Sequence, residues 1–294
     1  MTSRTPSGAW RPPGGRLGRL VPDRWGLLAL PGIAFLLLFF GLPIVEMAWR
    51  SVSDPGPENY LIFTRSVAYG RVLATTLWTS VLVTVVCLVI GYPYAYVMHH
   101  AGPRLATVLG VAVLLPFWSS LLVRTYAWTV LLQTTGVINS FLRGIGLIDE
   151  PIQLMRNTLG VQIGMSYILL PFMVLPIYAV MRRIDPDLTP AAAGLGAGPV
   201  TAFRRVFLPL SLPGVFAGVL LVFVLALGFY ITPALLGSPS NTMLSELIVL
   251  QVQRELKFGV GAALGMVLLA LTLVLLAVAS RFVKIGDAVG YGSE

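Results

Sequence analysis

The chain has 294 residues, of which 56% are apolar and 11% are charged, and its mean hydropathy is +0.86. This composition excludes an ordinary soluble domain, in which about 25% of residues are charged. The net charge of +8 comes from dispersed arginines without a basic stripe that carries aromatic residues, so nucleic acid is not an expected partner. The sequence therefore indicates an integral membrane protein.

Six apolar segments are long enough to cross a bilayer as helices, which takes roughly 20 residues each. Backbone groups in hydrocarbon must bond to one another, and the segments lack the alternation of barrel strands, so helices are expected. We predict an all-α integral membrane fold with six transmembrane helices in residues 26–283, between a disordered basic tail (1–25) and a C-terminal tail (284–294). The predicted spans are 26–48, 72–98, 105–132, 159–181, 213–236 and 259–282.

The distribution of basic residues predicts that both termini lie in the cytoplasm. With the amino terminus inside, 12 of the 20 Lys and Arg residues fall on the cytoplasmic side. Cytoplasmic loops carry the excess of Lys and Arg in membrane proteins. The long loop at 182–212 is then cytoplasmic and contains Arg182, Arg183, Arg204 and Arg205.

Motifs for catalysis and ATP binding are missing. Lys257 and Lys284 are the two lysines, and they follow leucine and valine, whereas a P-loop lysine follows glycine. The two histidines, His99 and His100, are adjacent in sequence, and Cys87 is the single cysteine, so no cofactor or metal site is expected. The chain is therefore not expected to be an enzyme. Few ionisable residues lie within the spans, which disfavours an ion-coupled secondary carrier, although backbone coordination of sodium keeps that alternative open.

The cytoplasmic loop at 182–212 is predicted to contain two short helices. Asp187 or Thr189 is expected to cap the first helix, with Pro190 at its first position. Glycines then interrupt this helix at 194, 196 and 198. An interfacial helix that rests on anionic lipid is the alternative interpretation of the loop.

The second helix of the loop is expected to start at Pro199 and to place Phe203 and Phe207 on one face, which leaves Arg204 and Arg205 exposed. The prolines that are expected to end this helix and return the chain to the membrane are Pro209 and Pro213.

This loop resembles a motif of the permeases of binding-protein-dependent ATP-binding-cassette (ABC) importers. The motif is Glu-Ala-Ala, three residues, Gly, nine residues, then an aliphatic residue, any residue and Leu-Pro. Pro190 replaces the acidic first residue. The positions that match in register are Ala191, Ala192, Gly196, Val206, Leu208 and Pro209.

The resemblance extends over about residues 27–282 and is nearest to the spermidine/putrescine branch of the family. The stretches that carry it are GYPYAY from Gly91, LPFWSSLLVRTYAW from Leu115, GVINS around Asn139, EPIQLMRNT from Glu150, LPFMVLPIYA from Leu170 and ALGFYITPALLGSP from Ala226.

The resemblance implies a type I importer permease in a bacterial inner membrane, with cytoplasmic coupling helices. Such a subunit pairs with a second permease subunit, two separate ATPase subunits and an extracytoplasmic substrate-binding protein. The residues that the resemblance assigns to ATPase coupling are Ala191, Ala192, Gly196, Arg204, Arg205 and Pro209.

A polyamine is the substrate that this branch implies. Polyamines are flexible cations, so carboxylates and aromatic faces are expected along their pathway. Packing or anchoring at the membrane interface is the alternative role for each aromatic residue, and an amino-acid derivative or an opine is the alternative substrate. The pathway candidates by residue type are Glu46, Glu150, Trp118, Tyr126, Trp128, Phe229 and Tyr230.

Overall fold

The computed structural model describes residues 24–290, with the side chains of residues 24–29, 64–65 and 282–290 left out of the description. Within this part every regular element is helical, which confirms the all-α prediction. The predicted basic tail at 1–25 lies almost entirely outside the described residues, and residues 291–294 lie outside them too. The last helix continues to Gly290, past the predicted end of the membrane domain.

The described residues form fourteen α-helices, joined in places by short π or 3₁₀ turns. They are α1 (Arg24–Leu36), α2 (Leu42–Ser53), α3 (Ile62–Arg65), α4 (Val67–His100), α5 (Pro103–Leu114), α6 (Leu121–Leu132), α7 (Val137–Gly144), α8 (Thr158–Met181), α9 (Leu188–Gly194), α10 (Pro199–Ala202), α11 (Leu208–Leu227), α12 (Ile231–Leu236), α13 (Leu244–Gln253) and α14 (Phe258–Gly290).

Five helical segments are long and apolar enough to cross a membrane, and a bent pair supplies a sixth if it counts as one span. The six predicted spans are confirmed in this sense. The five are Leu30–Ser53, Val67–His100, Thr158–Met181, Pro199–Leu227 and Phe258–Arg281, and the bent pair is Pro103–Trp118 with Leu121–Gly144.

The predicted third span, 105–132, is not one straight helix, because the bent pair turns by 99° within it. Pro116 lies in a 3₁₀ turn just before the bend. Ser119 and Ser120 then have extended backbones, with ψ of 147° and 142°. The predicted fifth span, 213–236, is also interrupted, because its helix ends at Leu227. Hydropathy alone does not distinguish a straight apolar helix from a broken one.

The described residues from Arg24 to Glu46 belong to a compact unit of their own. Its described part is α1, a π-turn at Leu37–Gly41 and the start of α2. Phe39 and Phe40 are 59% and 62% exposed, and no residue in the apolar window of this span is buried. Such a helix is suited to lipid or to another membrane protein rather than to water.

The core of the unit from Met47 onward is built by α4, α8 and α11. Gly91 of α4 and Gly218 of α11 both face Met173 of α8, where an added Cβ would lie 3.0 Å and 2.9 Å from Met173 side-chain atoms. Lipid provides no hydrophobic driving force for helix association, so membrane helices associate through close van der Waals packing, which small residues allow. Met173 is fully buried at this junction. The three helices therefore form one tightly packed group.

Candidate functional site

The loop at 182–212 contains the predicted pair of helices joined by a glycine turn. At the end of α9, the Ala197 amide donates to the Ala192 carbonyl at 3.0 Å, and the Gly196 amide donates to the Ala193 carbonyl at 2.9 Å. These bonds define a Schellman motif. Gly196 has a φ of 86°, in the left-handed region that glycine adopts without a steric cost. A Cβ at this position would meet no atom within 4 Å, so the glycine is required by the backbone conformation and not by a lack of space.

The start of α9 differs from the prediction. The helix begins at Leu188, so Pro190 is its third residue and not its first. Asp187 holds the predicted cap position, but its side chain makes no cap hydrogen bond. Its backbone N–H donates instead to the Asp185 carboxylate at 2.9 Å. Proline fits at the third position because amides of the first turn have no acceptor within the helix.

The second helix begins at Pro199, as predicted, and continues into α11. Phe203–Phe207 forms a π-turn, in which the Leu208 amide donates to the Phe203 carbonyl five residues back. The wider turn accommodates the ring of Pro209, and Pro213 lies inside α11. The prediction that these two prolines end the helix is therefore wrong. One helical segment runs without interruption from Pro199 to Leu227.

A docking cluster of Tyr92, Tyr96, Phe203 and Phe207 fixes this helix to the end of α4. The Tyr96 ring makes edge contacts with Phe203 and Phe207, with ring centroids 5.5 Å and 5.2 Å apart. Tyr92 lies edge-on to Phe203 at 6.4 Å, and its hydroxyl is 2.9 Å from the Ser211 hydroxyl. The loop helix therefore packs directly on the end of α4. Sequence reasoning placed the two phenylalanines on one face but missed the tyrosines that they contact.

The glycine turn presents exposed apolar and basic side chains. Leu195 is 91% exposed and Val200 is 67% exposed, on either side of Gly196. Exposed apolar side chains of this size beside arginines are typical of a surface that binds a protein partner. Sequence reasoning missed both. Of the predicted coupling residues, Ala192 is half-buried and the others are exposed: Ala191, Gly196, Arg204, Arg205 and Pro209.

Four of the predicted pathway residues are spread over different elements. Glu46 is the last residue of the N-terminal unit. Trp118 is 78% exposed just before the bend, and Tyr126 is 60% exposed on α6. Trp128, also on α6, packs against Tyr167 of α8 with ring centroids 5.4 Å apart. This contact agrees with packing, the alternative to a pathway role that the sequence left open for Trp128.

Two further predicted pathway residues, Phe229 and Tyr230, lie where the fifth span breaks between α11 and α12. The chain returns to this point after α12, because the Ser245 hydroxyl donates to the Phe229 carbonyl at 2.6 Å. The Leu244 amide donates to the Thr76 hydroxyl of α4 at 2.8 Å. The break is thus held between α4 and the start of α13. Sequence reasoning missed the break because the apolar run continues through it.

Asn139 holds the loop between α7 and α8. Its side-chain amide donates to the carbonyls of Gln133 at 3.1 Å and Ile152 at 2.9 Å, and its oxygen accepts from the Ile152 amide at 2.9 Å. Farther along, the Arg156 amide donates to the Leu236 carbonyl at 2.8 Å. The loop is therefore anchored to α12. Glu150, in the same loop, is exposed.

The arrangement combines apolar spans, a turn with exposed apolar side chains and a broken helix. Among the side chains that the structure describes, no group of three or more His, Cys, Asp or Glu is placed to hold a metal ion. Broken helices within a membrane bundle are typical of transport proteins, in which the freed backbone lines the pathway. The structure thus defines a membrane transport subunit.

Residues 27–285 match the family described as binding-protein-dependent transport system inner membrane component. The match covers most of the chain, so the chain belongs to this family of ABC importer permeases. It is a multi-pass inner-membrane protein and a transport component rather than an enzyme. The family works with a separate ATPase subunit and a substrate-binding protein.

Named relatives are similar over most of their length. The spermidine/putrescine transport system permease protein PotB of Haemophilus influenzae is 36% identical over 74% of this chain and 76% of its own. PotB of Escherichia coli K12 is 35% identical over 80% of this chain and 89% of its own. A chain of the bacterial alginate ABC transporter, solved with an alginate pentasaccharide-bound periplasmic protein, superposes with a TM-score of 0.69 over 87% of this chain and 93% of its own, at 22% identity. That likeness shows the fold.

Proposed function

We propose that this chain forms half of the translocation pathway of an importer for polyamines such as spermidine or putrescine. A second permease subunit forms the other half. The substrate class is supported by the 35–36% identity to permeases named for spermidine and putrescine. Aromatic side chains at the break in the fifth span, Phe229 and Tyr230, suit a flexible organic cation.

Coupling to ATP hydrolysis runs through the turn at Gly196. Two ATPase subunits act on the importer, and one of them receives the surface formed by Leu195, Val200 and the neighbouring arginines. The docking cluster then transmits the movement to α4. The observation that carries this proposal is a Schellman turn at the matched motif positions, joined to a helix that is fixed to α4 by aromatic contacts. The six residues that the resemblance assigns to coupling lie in or beside this turn and helix.

The turn is cytoplasmic, and both termini lie on the same side. The excess of basic residues on that side supports this orientation. The loop that Asn139 anchors then faces the extracytoplasmic binding protein. Cysteines introduced at Leu195 and at Ser140, both exposed, test the orientation. A membrane-impermeant maleimide added to intact spheroplasts should label position 140 and leave position 195 unlabelled, and the reverse pattern would refute it.

The coupling proposal is tested by changing the turn at Gly196. Valine at 196 is strained in the left-handed region, whereas asparagine adopts that region at little cost. In the assembled importer in proteoliposomes, Gly196→Val should lower the spermidine taken up per ATP hydrolysed, and Gly196→Asn should largely keep it. Gly194→Val is the matched control, because Gly194 is helical and a Cβ there also meets no atom within 4 Å.

Three results separate the parts of the proposal. Equal losses for valine at 194 and 196 would show that added bulk matters and not the backbone conformation. Wild-type coupling in Gly196→Val would remove the turn from the coupling surface. ATP-dependent uptake of another solute by the wild-type importer, without uptake of spermidine or putrescine, would replace the substrate class and leave the coupling proposal in place.

A further inference from the structure

The break in the fifth span lies well inside the bundle. In the proposed orientation α8 begins at the outer face with Thr158. A Cβ on Gly164 would lie 2.7 Å from the Thr232 methyl group, so Thr232 is level with Gly164. Gly164 is six residues into α8, or about 9 Å at a rise of 1.5 Å per residue. Gly160 is close to the Leu236 carbonyl, so α12 rises from the break toward the outer face and Phe229 lies deeper still.

Glu246 is brought to this depth by the returning chain. Its neighbour Ser245 bonds to the Phe229 carbonyl, and α13 then runs antiparallel to α4, with Leu244 at Thr76 and Gln251 at Tyr69. Leu244, Ser245 and Gln251 are buried, whereas Glu246 is only partly buried. The Glu246 side chain thus lies on a part of α13 that this chain does not cover completely. Among the described residues its carboxylate lies near the Met243 backbone amide and in no salt bridge.

A carboxylate at this depth is costly against lipid, and such groups face a water-filled pathway or a partner chain instead. We infer that Glu246 binds an ammonium group of the substrate during translocation, while Phe229 and Tyr230 contact its methylene chain and charge. This inference rests on the proposed polyamine function and assigns a specificity residue to it. Tyr230 is 39% exposed, so its ring is accessible to a substrate at the break. A carboxylate and aromatic faces together favour a cation over an anion.

Glu246 also has a structural alternative. It is the third residue of α13, a position at which a glutamate can accept a hydrogen bond from the backbone amide of the cap residue, here Met243. Glutamine makes the same cap hydrogen bond without the charge. The variant Glu246→Gln therefore removes the proposed function and keeps the structural one. Glu246→Ala removes both.

The test measures spermidine uptake by the importer assembled with its ATPase, partner permease and loaded binding protein. We expect Glu246→Gln to lower uptake at least tenfold at subsaturating spermidine, with subunit assembly unchanged, and Glu246→Asp to keep part of it. Glu255→Gln is the control, because Glu255 is on the loop after α13 and pairs with Lys257 at 2.7 Å. This control should transport at the wild-type rate.

Each outcome decides the inference. Wild-type uptake in Glu246→Gln overturns it while leaving the polyamine function intact. Normal uptake in the Gln variant with loss in the Ala variant assigns Glu246 to helix capping and likewise overturns it. If the wild-type importer takes up no polyamine under any condition but transports another solute, the proposed function itself fails, and the assignment of Glu246 to an ammonium group fails with it.

Discussion

Replacing Phe207 with alanine is expected to release the loop helix, which begins at Pro199, from the end of α4. Phe207 is 4% exposed, and its ring contacts Tyr96, His99 and His100 with centroids 5.2 Å, 5.3 Å and 5.7 Å away. Truncating a buried phenylalanine to alanine costs about 3 kcal/mol or more. At about 1.4 kcal/mol per factor of ten, the helix should leave its docked position about 100 times more readily. ATP hydrolysis should then continue with little transport.

The assay is the ratio of spermidine transported to ATP hydrolysed by the assembled importer in proteoliposomes. Phe216→Ala is the matched control, because Phe216 lies on α11 and is 52% exposed. It should leave the ratio unchanged, and Phe207→Leu should fall between the two. A wild-type ratio in Phe207→Ala, at normal subunit stoichiometry, would refute the reasoning that the docking cluster carries the coupling movement.

Three further substitutions test helix packing, loop anchoring and the start of α9. A Cβ at position 218 would lie 2.9 Å from the Met173 sulfur, so Gly218→Val should reduce the amount of assembled complex seen by size-exclusion chromatography. Ala217→Val, at an exposed position, is the control and should not reduce it. Asn139→Ala removes three hydrogen bonds and should cost about 2–3 kcal/mol in a thermal unfolding assay, more than Ser140→Ala beside it. Pro190→Ala should alter uptake less than twofold, because the first helical turn accepts either residue.

The spans could be predicted because each is a long apolar segment suited to the bilayer, and the length and hydropathy of such a segment can be seen in the sequence. The glycine turn at Gly196 could be predicted because its determinants are local. Gly196 and the alanines before it lie within one helical end, so their spacing in sequence fixes their spacing in the fold. The start of the second helix at Pro199 followed for the same reason.

The breaks could not be predicted, since they depend on partners distant in sequence. The apolar run passes through Gly228 without a polar interruption, and the contacts that hold the break come from Ser245 and Thr76. The docking cluster joins residues more than 100 positions apart, so Tyr92 and Tyr96 carried no local signal of their role. Pro209 resembles a helix stop in the sequence because hydropathy does not reveal the π-turn that precedes it.

The uninterrupted helix from Pro199 to Leu227 explains how the two candidate sites can be connected. Its 29 residues span about 43 Å at 1.5 Å per residue, with the docking cluster at one end and the break at the other. Gly218 packs on α8 between these two ends. If this helix ended at Pro209, a flexible joint would absorb a displacement of the turn. Because it is continuous, a displacement of a few ångströms at the turn becomes a rigid-body movement of the helix. In the proposed coupling, that movement reaches Phe229 through the helix and reaches α4 through the docking cluster, so the two sides of the break are displaced together.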